Sequence, residues 1–134
     1  MSKINYAKSG VDIVKADKFT GIIGGLVKST LNSKVNKSIG GYASLYKIDD
    51  KRFIAASTDG VGTKLKLAFK LDRHDTVGID LVAMSVNDLI CTGAKPLFFL
   101  DYFATGKLNL GTATKVLRGI VAGCKQGKLA LVGG

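Results

Sequence analysis

Pro96, the single proline, opens the run Leu97-Phe98-Phe99-Leu100, which ends at Asp101. Successive side chains of an extended strand point to opposite faces of a sheet. A strand that is apolar on both faces therefore needs cover on both, as strands of α/β sheets have. The rest of the chain offers elements to provide it. Phe19, Ile22, Ile23, Leu26 and Val27 fall at i, i+3, i+4, i+7 and i+8, which predicts an amphipathic helix over 15–31. Similar stripes predict helices over 65–71, 77–91 and 109–126, with Asp75-Thr76 at the start of the 77–91 helix and Gly93 just past its end. Short strands are expected at 39–48, 53–57 and 129–132, with Asp49-Asp50-Lys51 as a hairpin turn and 32–37 as a polar loop. The fold class is α/β or α+β, with one mixed β-sheet and flanking helices.

Composition narrows the function. Of the 134 residues, 46% are hydrophobic, enough for a sizeable core, and no run approaches the ~18–20 apolar residues of a membrane span. The first residues, Met1 to Tyr6, lack the apolar stretch of a signal peptide. Cys91 and Cys124 make no disulfide framework and no metal-type spacing with the only histidine, His74. Both cysteines are expected to be inert core thiols. The net charge of +10 raises the question of nucleic acid, but 17 of the 20 cations are lysines and they are scattered. Arginine supplies the bidentate contacts that nucleic acids favour, so a solvated lysine surface is the better reading. All ten acidic residues are aspartates, and glycine, at 17 residues, is about twice its usual frequency of ~7%.

Those two residue types meet in Asp59-Gly60-Val61-Gly62-Thr63-Lys64, directly after the 53–57 strand. Glycines let backbone amides approach an anion, a following helix start adds positive character, and Lys64 adds a full charge. Asp59 is placed to hold a divalent ion that bridges phosphate oxygens. The order Gly-Lys-Ser/Thr of a Walker A loop is absent. Taken alone, the pattern reads equally as a phosphate cradle or as a plain strand-to-helix turn with a surface lysine. In the 77–91 helix, Asp80 and Asn87 lie within about 20° of each other and Asp88 about 80° round from them. Polar groups in an apolar helix need partners or ligands. Asp101, at the end of the apolar strand, stands where α/β proteins put sites, or is an ordinary strand-end carboxylate. His74 in its charged turn reads as structural or exposed.

These segments, in this order, resemble the phosphoribosylformylglycinamidine cyclo-ligases, also called aminoimidazole ribonucleotide synthetases. The stretches that carry the resemblance are 6–13, 39–45, Thr58-Asp-Gly-Val-Gly-Thr-Lys-Leu65, 74–84, Val86-Asn-Asp-Leu89, 96–108 and Leu131-Val-Gly-Gly134. Asp88-x4-Gly93-Ala94-x-Pro96 is similar to the signature of a wider superfamily that includes selenophosphate synthetase and thiamine-phosphate kinase. The resemblance implies a cytoplasmic purine-biosynthesis enzyme. ATP and Mg²⁺ serve to activate the formyl oxygen of formylglycinamidine ribonucleotide, and ring closure gives aminoimidazole ribonucleotide, ADP and phosphate. It implies Lys64, Asp59 and Asp101 as catalytic residues, with Gly60, Gly62, Thr63, Lys64, Asp80 and Asn87 around the nucleotide. Asp59 and Asp88 are the implied magnesium ligands.

The resemblance also implies a homodimer whose sheets, built from 39–48, 53–58 and 97–103, pair into a barrel, with neither nucleic acid nor membrane as partner. Relatives continue past Val-Gly-Gly with a Glu-Thr-Ala-Glu loop and a second domain that covers ATP. Residues 1–134 are thus expected to be the N-terminal domain, inactive or nearly so by themselves. The alternative is a non-catalytic dimerising module that binds nucleotide or phosphate.

Overall fold

The computed structural model describes residues 9–37 and 39–134. They fall into two compact units, divided between Ile54 and Ala55. Residues 6–8 of the 6–13 reading lie outside the described residues. No helix among the described residues is long and apolar enough to cross a membrane.

The first unit opens with α1, Ile13–Val27, followed by a single 3₁₀ turn over Lys28–Thr30. Asp12 starts the helix: its carboxylate accepts the Lys15 N–H at 3.1 Å, which satisfies one of the orphan donors of the first turn. The α-helix ends at Val27, the last residue of its apolar stripe and short of the expected end at 31, and Phe19 and Leu26 on that stripe are exposed. The segment expected as a polar loop contains a strand, β1 (Val35–Lys37), which pairs antiparallel with β2 (Ser44–Lys47). An edge strand needs only one apolar face, so Val35-Asn36-Lys37 carries too little alternation to announce itself. β3, Phe53–Ala56, lies on the other side of β2. The turn between β2 and β3 is held by Asp49. Its carboxylate accepts the Lys51 N–H at 3.0 Å and the Arg52 Nε–H at 2.7 Å.

The second unit runs α2 (Lys64–Leu71), α3 (Val77–Ile90), β4 (Phe98–Leu100), α4 (Leu110–Gly127) and β5 (Ala130–Gly133). β4 and β5 pair in parallel, Phe99 opposite Leu131, with α4 as the crossover between them. The expected single mixed sheet is therefore two sheets, one antiparallel and one parallel. The strand expected over 97–103 stops at Leu100. Among the described residues only one of its faces is covered. Phe99 is 9% exposed, whereas Phe98 and Leu100 are 56% and 60% exposed.

The core comprises Val82 of α3, Phe99 of β4, and Ile120 and Cys124 of α4. Glycines let α3 and α4 come this close. A Cβ on Gly78 would collide with the Ile120 backbone, one on Gly119 would sit 2.6 Å from the Asp75 carbonyl oxygen, and one on Gly123 2.9 Å from Val82 Cβ.

Helix ends follow local chemistry. Asn109 caps α4 by accepting the Thr112 N–H at 3.0 Å. After α3 the Gly93 N–H bonds the Ile90 carbonyl and the Ala94 N–H the Leu89 carbonyl, with Gly93 at φ +75°. That is the glycine C-terminal motif its sequence position predicts. Thr76, by contrast, starts α3 without a side-chain cap. The same C-terminal motif closes α4 with Lys128 at φ +56°, where its Cβ is strained.

Lys128→Gly should remove that strain and stabilise the second unit by about 0.5–1 kcal/mol, read as a raised midpoint in chemical denaturation. The hydrogen bond from Arg52, and then the Lys51 amide, hold the Asp49 carboxyl below its ordinary value. A carboxyl depressed on folding contributes stability above its unfolded value and loses it as pH falls through its folded value. The β2–β3 turn should therefore loosen on acidification through the carboxylate range. Amide exchange at Lys51 and Arg52 should rise there in wild type and show no such step in Asp49→Asn.

Candidate functional site

The glycine-rich turn joins β3 to α2, and both its ends are fastened to α3. At its start the Ser57 hydroxyl donates to the Ser85 carbonyl at 2.9 Å. At its end the Lys64 ammonium donates to Asp80 Oδ2 at 2.9 Å and approaches Met84 Sδ at 3.9 Å. The anchors on α3, Asp80 and Ser85, are five positions apart, a rise of roughly 7.5 Å. The turn thus lies along about one and a half turns of that helix.

Between the anchors the backbone is open. Gly62 has φ +66°, a conformation that favours glycine, and an added Cβ on Gly60 or Gly62 would meet nothing within 4 Å. No side chain caps the start of α2 at Thr63. The Leu65 and Lys66 N–H groups are taken by the Gly62 and Thr63 carbonyls, so among the described residues the amides of Gly62, Thr63 and Lys64 are the donors that could face an anion. The Asp59 carboxylate accepts the Gly60 N–H at 2.7 Å.

α3 presents two different sides. At about 100° per residue, Gly78, Val82 and Ser85 share the side packed on the core, and Asp80, Met84 and Asn87 share the other. The first three are buried, Asn87 is exposed and Asp88 is half-buried. Asp88 stands one turn beyond Ser85, and so beyond the anchor of Ser57. The oxygen donors Asp59, Asn87 and Asp88 are therefore carried by the turn and by the part of α3 that fastens it. No group of three or more His, Cys, Asp or Glu side chains is gathered as a metal cage among the described residues. Mg²⁺ usually takes one or two carboxylates and completes its shell with water and substrate phosphates. Two aspartates and an amide fit that mode and do not fit an all-protein cage.

Asp101 is half-buried at the end of β4, where its N–H bonds the Gly133 carbonyl at 3.1 Å. Among the described residues no hydrogen bond or ion pair joins it to Asp59, Lys64 or Asp88. Its charge is felt instead by Cys124, whose thiol is pushed up from its ordinary value first by burial and then by Asp101. Cys124 is the inert core thiol that was expected, whereas Cys91 is exposed, a correction to the same expectation for it. His74 is structural: it is 6% exposed, packs edge-on against Phe69 with ring centroids 5.6 Å apart, and reaches Asp72 at 3.3 Å. A cleft of about 460 Å³ lies beside it, lined by Asp72, Arg73, His74, Asp75, Lys115 and Arg118. It contains no residue of the glycine turn. Sequence reasoning missed Ser57 and Met84. Neither carries a local signal, since their partners lie 28 and 20 positions away.

Residues 40–134, which include the whole turn and α3, match the family described as AIR synthase related protein, N-terminal domain. The chain belongs to this family. It is 58% identical over 135 residues to the phosphoribosylformylglycinamidine cyclo-ligase of Thermodesulfovibrio yellowstonii, covering 98% of this chain and 39% of the relative. The proteins of the same name from Thermoanaerobacter sp. strain X514 and Methylobacillus flagellatus are 56% and 54% identical, with 40% and 39% of their lengths covered. The chain thus spans about two-fifths of the length of the curated relatives it matches. The resemblance read from the glycine turn and its neighbours is the family that the match establishes.

The environments of the two thiols lead to a test. Timed alkylation near neutral pH, followed by intact mass, should show one fast addition at Cys91. The second, at Cys124, should appear only on unfolding.

Proposed function

We propose that this chain is the N-terminal, phosphate-handling part of a phosphoribosylformylglycinamidine cyclo-ligase that acts in purine biosynthesis in the cytoplasm. The observation that supports the proposal is the glycine turn fastened to α3 at both ends, by Ser57 to the Ser85 carbonyl and by Lys64 to Asp80, with Gly62 open between them. The relatives' name supports the choice of reaction.

In this reading ATP phosphorylates the formyl oxygen of formylglycinamidine ribonucleotide and leaves as ADP. An internal nitrogen then attacks the activated carbon, and phosphate departs as the imidazole forms. The Gly60 and Gly62 amides, Thr63 and Lys64 hold the transferring phosphoryl group, where fixed donors stabilise charge as it develops. Asp59 and Asp88, with Asn87 beside them, hold Mg²⁺, which when bound neutralises charge on the phosphate oxygens. Asp101, at the end of the parallel strand pair, faces the substrate end of the reaction. A homodimer formed through the sheets would cover Phe98 and Leu100, two of the large apolar side chains exposed in the single chain.

The test is titration of the chain with Mg·ATP, followed by amide shifts. The amides of Gly60, Gly62, Thr63 and Lys64 should move together and saturably. No shift at the turn up to millimolar nucleotide would overturn the reading. Asp59→Asn and Asp88→Asn should each weaken magnesium-dependent nucleotide binding by about tenfold or more, with unchanged circular dichroism. In a full-length relative each should cut ADP release severely. Binding of wild-type strength in both variants would show that the magnesium ligands lie elsewhere.

A further inference from the structure

The Lys64–Asp80 pair asks for an explanation other than stability. Both side chains are 49% exposed, and an ion pair so open to solvent adds little to folding. Its partners are 16 residues apart and belong to different helices. The pair therefore fixes the direction of one long, flexible side chain relative to α3. An ammonium has three donors and no acceptor. Asp80 takes one, Met84 Sδ lies within weak-acceptor distance of another, and one remains. Asp80 and Met84 are i and i+4, so Lys64 lies against two successive turns of the helix face that continues to Asn87.

We infer that Asp80 is a positioning residue for Lys64. It orients the ammonium so that the uncommitted donor meets a phosphate oxygen held on the glycine turn, and it makes no contact with the ligand itself. This rests on reading the turn as a phosphate site. It differs from placing Asp80 in the nucleotide-binding set. A carboxylate beside a phosphate is repelled unless a cation stands between them, and here that cation is Lys64. A lysine binds phosphate as a point charge on a mobile stem, so fixing the stem in advance lowers the entropy lost on binding.

The sign of the effect makes the inference testable. Asp80→Asn removes a negative charge near an anion site, and by charge alone it should tighten binding. Loss of position should weaken it. The probes are Mg·ATP and inorganic pyrophosphate, titrated into the whole chain with amide shifts at Gly60–Lys64 as the readout. Asp80→Asn should weaken both about fivefold, Asp80→Glu should restore most of the loss, and in a Lys64→Ala background Asp80→Asn should change binding less than about twofold. In the ligand-free chain the Lys64 ammonium should be better ordered by ¹⁵N relaxation than the other lysines, and Asp80→Asn should abolish the difference.

Unchanged or tighter binding in Asp80→Asn overturns the inference. So does a loss that persists without Lys64, because it would mean direct contact with the ligand or a structural role. Equal Lys64 mobility in wild type and Asp80→Asn overturns it without any ligand. If wild type shows no shift with either probe, the phosphate reading itself fails, an outcome distinct from binding that ignores Asp80.

Discussion

The second unit depends on the close approach of α3 and α4. Gly78, Gly119 and Gly123 bring the two backbones into contact, and a single methyl group at any of them would force the helices apart. That approach places Val82 against Ile120 and Cys124 and lets Phe99 of β4 close the cluster. Interiors packed to this density resist small displacements, so α3 is held in one position and one rotation. Its rotation is what matters chemically. With Gly78, Val82 and Ser85 committed to the core, Asp80, Met84 and Asn87 have to face outward.

The glycine turn takes its shape from this fixed helix. Ser57 ties the end of β3 to Ser85, and Lys64 ties the start of α2 to Asp80. Between those ties the Asp59 carboxylate holds the Gly60 N–H, and no side chain caps the backbone at Thr63, where α2 begins. A loop fastened at its ends and open in the middle suits anion binding, because the donors are oriented before the ligand arrives. The arrangement also explains why half-exposed groups count here: what they contribute is direction, and direction does not require burial.

Much of the local structure was legible in particular residues. Asn109 announced a helix start, Gly93 a helix end, and Asp49 a turn, because each acts on backbone groups within a few positions of itself, whereas the cap at Asp12 was not read. The carriers of the family resemblance were legible for the same reason, since the turn 58–65 is a contiguous stretch. Other readings failed where the partner was distant. Val35–Lys37 became a strand only by pairing with β2. Leu97–Leu100 was read as covered on both faces, yet among the described residues only Phe99 is covered, because composition states the need for cover and does not supply it. The two cysteines sit on similar apolar stretches, and only the approach of α4 to α3 decided that Cys124 is buried and Cys91 exposed.

The sequence by itself determined the helices, most of their ends, the glycine turn with its lysine, and membership in the AIR synthase related family. These follow from interactions over at most about four residues and from contiguous motifs. Tertiary structure alone decided that the strands form two sheets, that β4 and β5 run parallel, and that Lys64 pairs with Asp80 while Asp101 acts on Cys124. Those outcomes join residues far apart in the chain. No local preference encodes them. They follow from which packing lets the α3 and α4 glycines meet while the apolar side chains around them leave water.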